Sequence, residues 1–188
     1  IQTDNLELRL SEVLNGNYVL DMRTILQASV DSKKLDSIAF NEIVLHSGAV
    51  AKMIEYNLFI DKRFVYNQKA DGVIVFTPTG STAYSLSGGG PILDPDLNVT
   101  GIVPMFPHSI NTTPIIIDDK KEVRIELTNS SNNKSSELSF DSQENLELEA
   151  NSIVTISKSK DKVSLVHPLD NDFFSRCRTK LGWGKSIT

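Results

Sequence analysis

The sequence predicts a mainly β domain with short helical segments at its two ends, and three observations carry that prediction. Strand signals dominate from about residue 18 to 167, and in the later half apolar and polar residues alternate at period two. The uninterrupted apolar runs, such as residues 73–76 and 115–117, are short enough for strands and far below the ~18 residues that span a bilayer. Helical periodicity is confined to the first 16 residues and to the stretch around Phe173, Cys177 and Leu181.

In chain order, Asp4 or Asn5 caps a first helix whose Leu6, Leu10, Val13 and Leu14 share one face, and Asn15-Gly16 stops it. Residues 18–30 form a long stretch rich in β-branched and apolar side chains. Residues 54–60 and 63–66 read as a hairpin around Asp61-Lys62, although Asp-Lys is a weaker two-residue turn than Asp-Gly. Val73, Ile74, Val75 and Phe76 are continuous and apolar, as in a strand buried on both faces. Further on, Val123, Ile125 and Leu127 alternate with Arg124 and Glu126, and Leu138 and Phe140 flank Ser139. Leu146 and Leu148 alternate with Glu147 and Glu149; Ile153, Val154 and Ile156 follow, then residues 163–166. The polar run 129–136 reads as an exposed hairpin loop. Phe173, Cys177 and Leu181 then recur at helical spacing, as a short helix or packed tail.

With 188 residues, the chain is long enough for one domain, or one domain plus part of another. Its 19 basic and 24 acidic residues give a net charge of −5, which argues against a nucleic-acid or anionic-membrane binder. A phosphate ligand stays compatible with that balance, because backbone N–H groups hold phosphates without a basic surface. The single cysteine, Cys177, fits a reducing compartment, so a cytoplasmic location is expected. His46, His108 and His167 stand far apart in the sequence, which argues against a zinc site. The start at Ile1 rather than Met, with no signal-like segment after it, leads to the expectation that the native N-terminus lies upstream.

The stretch richest in chemistry is Thr77-Pro78-Thr79-Gly80-Ser81-Thr82-Ala83-Tyr84-Ser85-Leu86-Ser87-Gly88-Gly89-Gly90-Pro91. It follows the buried strand and opens a possible helix near Ser81 or Thr82. Its hydroxyls and Gly80 offer donors and acceptors to a polar ligand, a helix N-terminus would favour an anion, and Tyr84 adds a face for a base to stack on. A Ser/Thr-capped helix followed by a glycine turn is the other reading of the same residues. It is neither a Walker A loop nor a nucleophile elbow.

Residues 77–91 resemble the diagnostic motif of NAD kinases, departing only at Gly88, where that family usually has Ala. Asn41-Glu42, Asp71-Gly72, the run 103–108, Asp141-Ser142-Gln143 and Lys180-Leu181-Gly182-Trp183 fit the same family in order. The resemblance implies the β-rich C-terminal domain of an NAD kinase, which moves the γ-phosphate of ATP to the 2′-hydroxyl of the adenosine ribose of NAD with Mg²⁺ or another divalent ion. The Gly-Gly-Asp-Gly motif that carries the family's aspartate base is not found in this chain. Residues 1–16 are therefore expected to be a helix remnant of the N-terminal α/β domain, 17–167 the NAD-binding domain, and 168–188 a tail that packs on the N-terminal domain. Little or no kinase activity is expected of the chain alone.

The same resemblance implies substrate contacts. Asn41 reads an adenine edge and Glu42 accepts from a ribose hydroxyl; a polar strand end is the plainer alternative for both. Thr82, Ala83 and Tyr84 lie along adenine and ribose, Ser87 closes that wall, and Thr79 and Ser85 belong to the same turn. Asp71 meets the nicotinamide end, in the family often across a subunit boundary. Lys52 and Lys69 offset phosphate charge, with solvated lysines as the alternative, and Gln143 makes a further contact. A homo-oligomer, dimer or tetramer, is implied as well. A lipid kinase of the same superfamily and a non-catalytic dinucleotide-binding module are the competing readings.

Overall fold

The structure is a computed structural model that describes residues 5–48, 52–109, 111–128 and 136–184. Its elements are α1 (Leu6–Leu14), β1 (Tyr18–Val30), β2 (Lys33–Ala39), β3 (Glu42–His46), β4 (Ile54–Ile60), β5 (Arg63–Ala70) and β6 (Gly72–Phe76). After a 3-10 turn at Thr79–Thr82 come α2 (Tyr84–Ser87), β7 (Val99–Met105), β8 (Ile115–Asp118) and β9 (Val123–Leu127). The chain ends with β10 (Ser136–Phe140), β11 (Glu144–Leu148), β12 (Ile153–Pro168) and α3 (Phe173–Leu181). The mainly β expectation with short flanking helices holds.

Two six-stranded sheets have the orders β2-β1-β12-β9-β4-β5 and β11-β10-β3-β6-β7-β8. Period-two alternation decides what each face does. Leu26, Tyr56, Leu58, Ile125 and Ile156 of the first sheet share one core with Ile43, Leu45, Val75, Ile102 and Leu138 of the second. At roughly 1.5–3 kcal/mol per fully buried large apolar side chain, this shared core is the main source of stability. The intervening residues Val44, Ile74, Phe76, Val103 and Met105 form a second cluster with Leu93. The middle of the second sheet is therefore buried on both faces, which explains the unbroken apolar reading of residues 73–76.

Three hairpins turn on an aspartate. Asp31-Ser32, Asp61-Lys62 and Asp141-Ser142 all have positive φ at both positions, between 48° and 67°. Such paired values suit the right-handed strand twist of the two-residue hairpins at Asp31 and Asp61, while the Asp141 loop spans three residues, 141–143, since Phe140 pairs with Glu144. Each aspartate also accepts a main-chain N–H from elsewhere: Asp31 from Ile153 at 2.8 Å, Asp61 from Glu122 at 3.1 Å, and Asp141 from Asn41 at 2.8 Å. This second anchor makes Asp-Lys an adequate turn where sequence alone ranks it low.

Two expectations are corrected. Residues 129–135 lie outside the described residues, but the strands on either side, β9 and β10, belong to different sheets, so they do not form a hairpin. The helix expected near Ser81 is a four-residue 3-10 turn followed by the four-residue α2, broken at Ala83 with φ −100° and ψ −133°. Elements this short and broken sum only a few aligned peptide dipoles, which weakens the expected pull on an anion.

The chain divides into two compact units, residues 24–161 and residues 1–23 with 162–188. In the second unit α3 is capped by Asp172, which accepts from the Phe174 N–H at 2.9 Å, and ends at Gly182 with φ 64°. Cys177 is buried on its inner face. His167 lies 3.3 Å from Asp21, and burial, together with Arg176 and Arg23, holds its pKa below the usual value despite that carboxylate.

Candidate functional site

The site lies on the face of the second sheet that points away from the sandwich core. Alternation along β3 sends Glu42, Val44 and His46 to this face. Register then aligns neighbours in rows. One row runs Asn145, Ser139, Val44, Ile74, Val103, and the next runs His46, Gly72, Met105. Gly72 keeps the second row low, because a Cβ there would stand 2.5 Å from the Leu45 carbonyl oxygen. Over these rows opens a cavity of about 540 Å³, which Tyr84, Asp71, Lys52 and Ser142 also line.

The glycine-rich loop is shaped by its own hydroxyls. Thr77 donates from Oγ1 to the Phe40 carbonyl at 2.7 Å and accepts from the Gly80 N–H at 3.1 Å. Its amide donates to the Asn41 carbonyl at 2.9 Å. Gly80 is thereby pressed onto Asn41, where a Cβ would come within 2.2 Å of the carbonyl oxygen. Ser81 donates to the Pro78 carbonyl at 2.6 Å and accepts from the Leu93 N–H at 3.0 Å. Ser85, fully buried, donates to the Gly80 carbonyl at 2.9 Å. Alternate hydroxyls thus hold the loop shut from inside, and Tyr84 is left exposed beside the cavity.

Glu42 is the electrostatic centre of this wall. It is 4% exposed, and one carboxyl oxygen has no hydrogen-bond partner. Burial first, and then the charge of Asp141, push its pKa up to about 7, while a hydrogen bond from the Tyr84 backbone works the other way. Near neutral pH it is therefore divided between carboxylate and carboxylic acid, able to accept from or donate to a hydroxyl.

Of the residues singled out by sequence, Lys52, Asp71 and Tyr84 line the cavity. Asn41 and Glu42 are not among the residues that line it; they stand at the N-terminal end of β3, where Asn41 is tied to the loop through Thr77 and Gly80. Thr79, Thr82 and Ala83 lie half-buried on the loop and Ser87 exposed, whereas Ser85 faces inward. Lys69 is exposed on β5, in the other sheet, and its carbonyl accepts from the His108 N–H at 2.9 Å. Gln143 is exposed in the turn just before β11. Sequence reading passed over Ser139, Asn145, Met105 and His46 as lining residues. Alternation puts each on a face, but only strand pairing puts them side by side.

The family profile described as the ATP-NAD kinase C-terminal domain matches residues 40–168. The chain belongs to that family. It is 45% identical over its full length to a protein of Photorhabdus laumondii named NAD kinase, and 44% identical to another so named from Pseudomonas fluorescens. The chain spans 64% of the length of each of these relatives. Among solved structures, a yeast NADH kinase complexed with NADH superposes with a TM-score of 0.90 at 26% identity, over 98% of this chain and 56% of that one. An NAD kinase from Archaeoglobus fulgidus in complex with ATP gives a TM-score of 0.79 over 93% of this chain and 66% of that one, and at 24% identity it shows a shared fold.

Proposed function

We propose that this chain supplies the dinucleotide-binding wall of an NAD kinase, which transfers the γ-phosphate of ATP to the adenosine 2′-hydroxyl of NAD. The observation that carries this reading is that the family match, residues 40–168, encloses the whole cavity and its loop. Tyr84 offers an exposed ring to stack on adenine, Asn41 complementary amide groups for its edge, and Glu42 a carboxyl for the ribose hydroxyls. Asp71 and Lys52, which also line the cavity, serve the rest of the dinucleotide. Thr79, Thr82, Ala83 and Ser87 form the wall, Ser85 acts by holding its shape, and Lys69 and Gln143 are outlying contacts.

Phosphoryl transfer depends mainly on positioning and charge stabilisation. This chain is assigned the positioning of the acceptor. The base is assigned to a Gly-Gly-Asp-Gly aspartate outside it. Mg²⁺ or another divalent ion would neutralise the phosphates of ATP. Among the described residues no group of three His, Cys, Asp or Glu side chains stands ready to hold a metal, so no residue is given that task. Residues 17–167 are read as the NAD-binding domain. Residues 1–16 and 168–188 are read as segments that dock on the base-bearing domain, in keeping with exposed Leu6, Leu10, Leu14, Phe174 and Trp183. Assembly as a homo-oligomer and a cytoplasmic location complete the proposal.

Calorimetric titration of the chain with NAD tests it. Binding is expected, with Asn41→Ala and Tyr84→Ala each weakening it about tenfold or more, from base stacking or hydrogen bonds worth roughly 1–3 kcal/mol, while far-UV circular dichroism stays unchanged. Unchanged affinity in both variants would contradict the site.

A further inference from the structure

The main chain at Asn41 is held from a turn 100 residues further along the chain. Asp141 accepts from three successive amides: Oδ2 from Phe40 at 2.7 Å, and Oδ1 from Asn41 at 2.8 Å and from Glu42 at 2.9 Å. Its own amide returns a bond to the Glu42 carbonyl at 3.1 Å. Three convergent N–H donors make a nest for an anion, and charge-assisted bonds of this kind are roughly twice as strong as neutral ones.

We propose that Asp141 is a positioning residue of the dinucleotide site, a role that rests on the NAD-binding reading: its carboxylate locks the main chain of residues 40–42, and so sets where Asn41 and Glu42 meet the ligand. Residues 40 and 41 are clamped from both sides. Asp141 takes their N–H groups, and Thr77, which also places Gly80, takes the carbonyls of Phe40 and Asn41. Loosening Asp141 therefore disturbs Asn41, Glu42 and the root of the loop together. The hairpin itself does not require so many bonds. Asp31 and Asp61 hold turns with the same pair of positive φ values, and among the described residues each side chain accepts one main-chain N–H, from Ile153 and Glu122; neither lines the cavity. Ser142, the next residue after Asp141, does line it. The charge of Asp141 also acts directly on Glu42, adding to the effect of burial on that carboxyl.

The comparison of Asp141→Asn with Asp61→Asn in the 188-residue chain separates this role from simple turn stability. The asparagine at 141 turns an NH₂ toward one of the three donors and removes the charge. D141N is expected to bind NAD at least fivefold more weakly, and in ¹³C NMR its Glu42 carboxyl should titrate at a lower pH than in the wild type. D61N should stay within twofold of wild-type affinity with the Glu42 titration unmoved. If D141N fails to fold, Asp141→Glu, which keeps the charge but displaces the oxygens, should lose NAD affinity at least fivefold. Affinity within twofold of wild type in the variant that folds, or a loss equalled by D61N, overturns the proposal. A wild-type chain that binds no NAD contradicts the functional reading itself. A wild type that binds NAD beside an indifferent D141N contradicts the assignment of Asp141 alone.

Discussion

Glu42 and the glycines of the neighbouring loop show how single residues govern this site. In the unfolded chain Glu42 titrates near its ordinary 4.5, and in the folded chain near 7. Between those values the folded state holds more protons than the unfolded one, so stability falls as pH rises through that window and levels off above it. Glu42→Gln removes the titrating group. Its unfolding free energy should fall less than that of the wild type between pH 5 and 8, by about 1–3 kcal/mol in denaturant titrations. Parallel changes in the two proteins would show that Glu42 is not the buried acid described. Gly80 and Gly88 make a second contrast. A Cβ on Gly80 meets main chain at 2.2 Å, whereas on Gly88 it meets the Val103 methyl at 3.0 Å with φ at −79°. Gly80→Ala should therefore cost about 2 kcal/mol or more and weaken NAD binding. Gly88→Ala, which restores the residue usual in the resembled motif, should stay within about 1 kcal/mol of wild type in thermal or denaturant unfolding.

At the scale of elements, what could be read from sequence was whatever local pattern determines. The apolar run 73–76 gave β6, the alternation around Ile125 gave β9, and the spacing of Phe173, Cys177 and Leu181 gave α3. β2 is not legible in the sequence because only Ala39 at its end is buried, so Lys33, Lys34 and Asp36 mask the alternation. The polar stretch from Lys158 to Lys162 likewise hides the continuity of β12, which runs as one strand from Ile153 to Pro168. Part of the candidate site was legible for the same reason: Tyr84 and Asp71 sit in or beside a compact motif. The remainder was not. Ser139, Val44 and His46 become neighbours only through the β10–β3 register, and the partners of Asp141 are about a hundred positions distant. The comparable Asp31 and Asp61 turns show that an Asp-X pair gains its fitness as a hairpin from a third strand end, which no two-residue rule contains.

For the molecule as a whole, the second sheet, which lies within the 24–161 unit, floors the cavity, backed by the core it shares with the first sheet and flanked by the cluster that includes Leu93. The net charge of −5 leaves little general attraction for an anionic dinucleotide. Recognition must then come from local amide, hydroxyl and aromatic groups, with a lysine such as Lys52 at the rim. This makes the account sharply local: ligand contact should be felt on one face of the second sheet, with Lys69 of the other sheet as an outlying contact. The most direct measurement is an NAD titration of the ¹⁵N-labelled 188-residue chain followed by amide chemical shifts. The account predicts saturable shifts clustered at Asn41, Glu42, His46, Asp71, Tyr84 and Ser142, with the Asp31 and Asp61 turns unmoved. Absence of shifts at NAD concentrations well above those of cells, or shifts gathered away from that face, would contradict it.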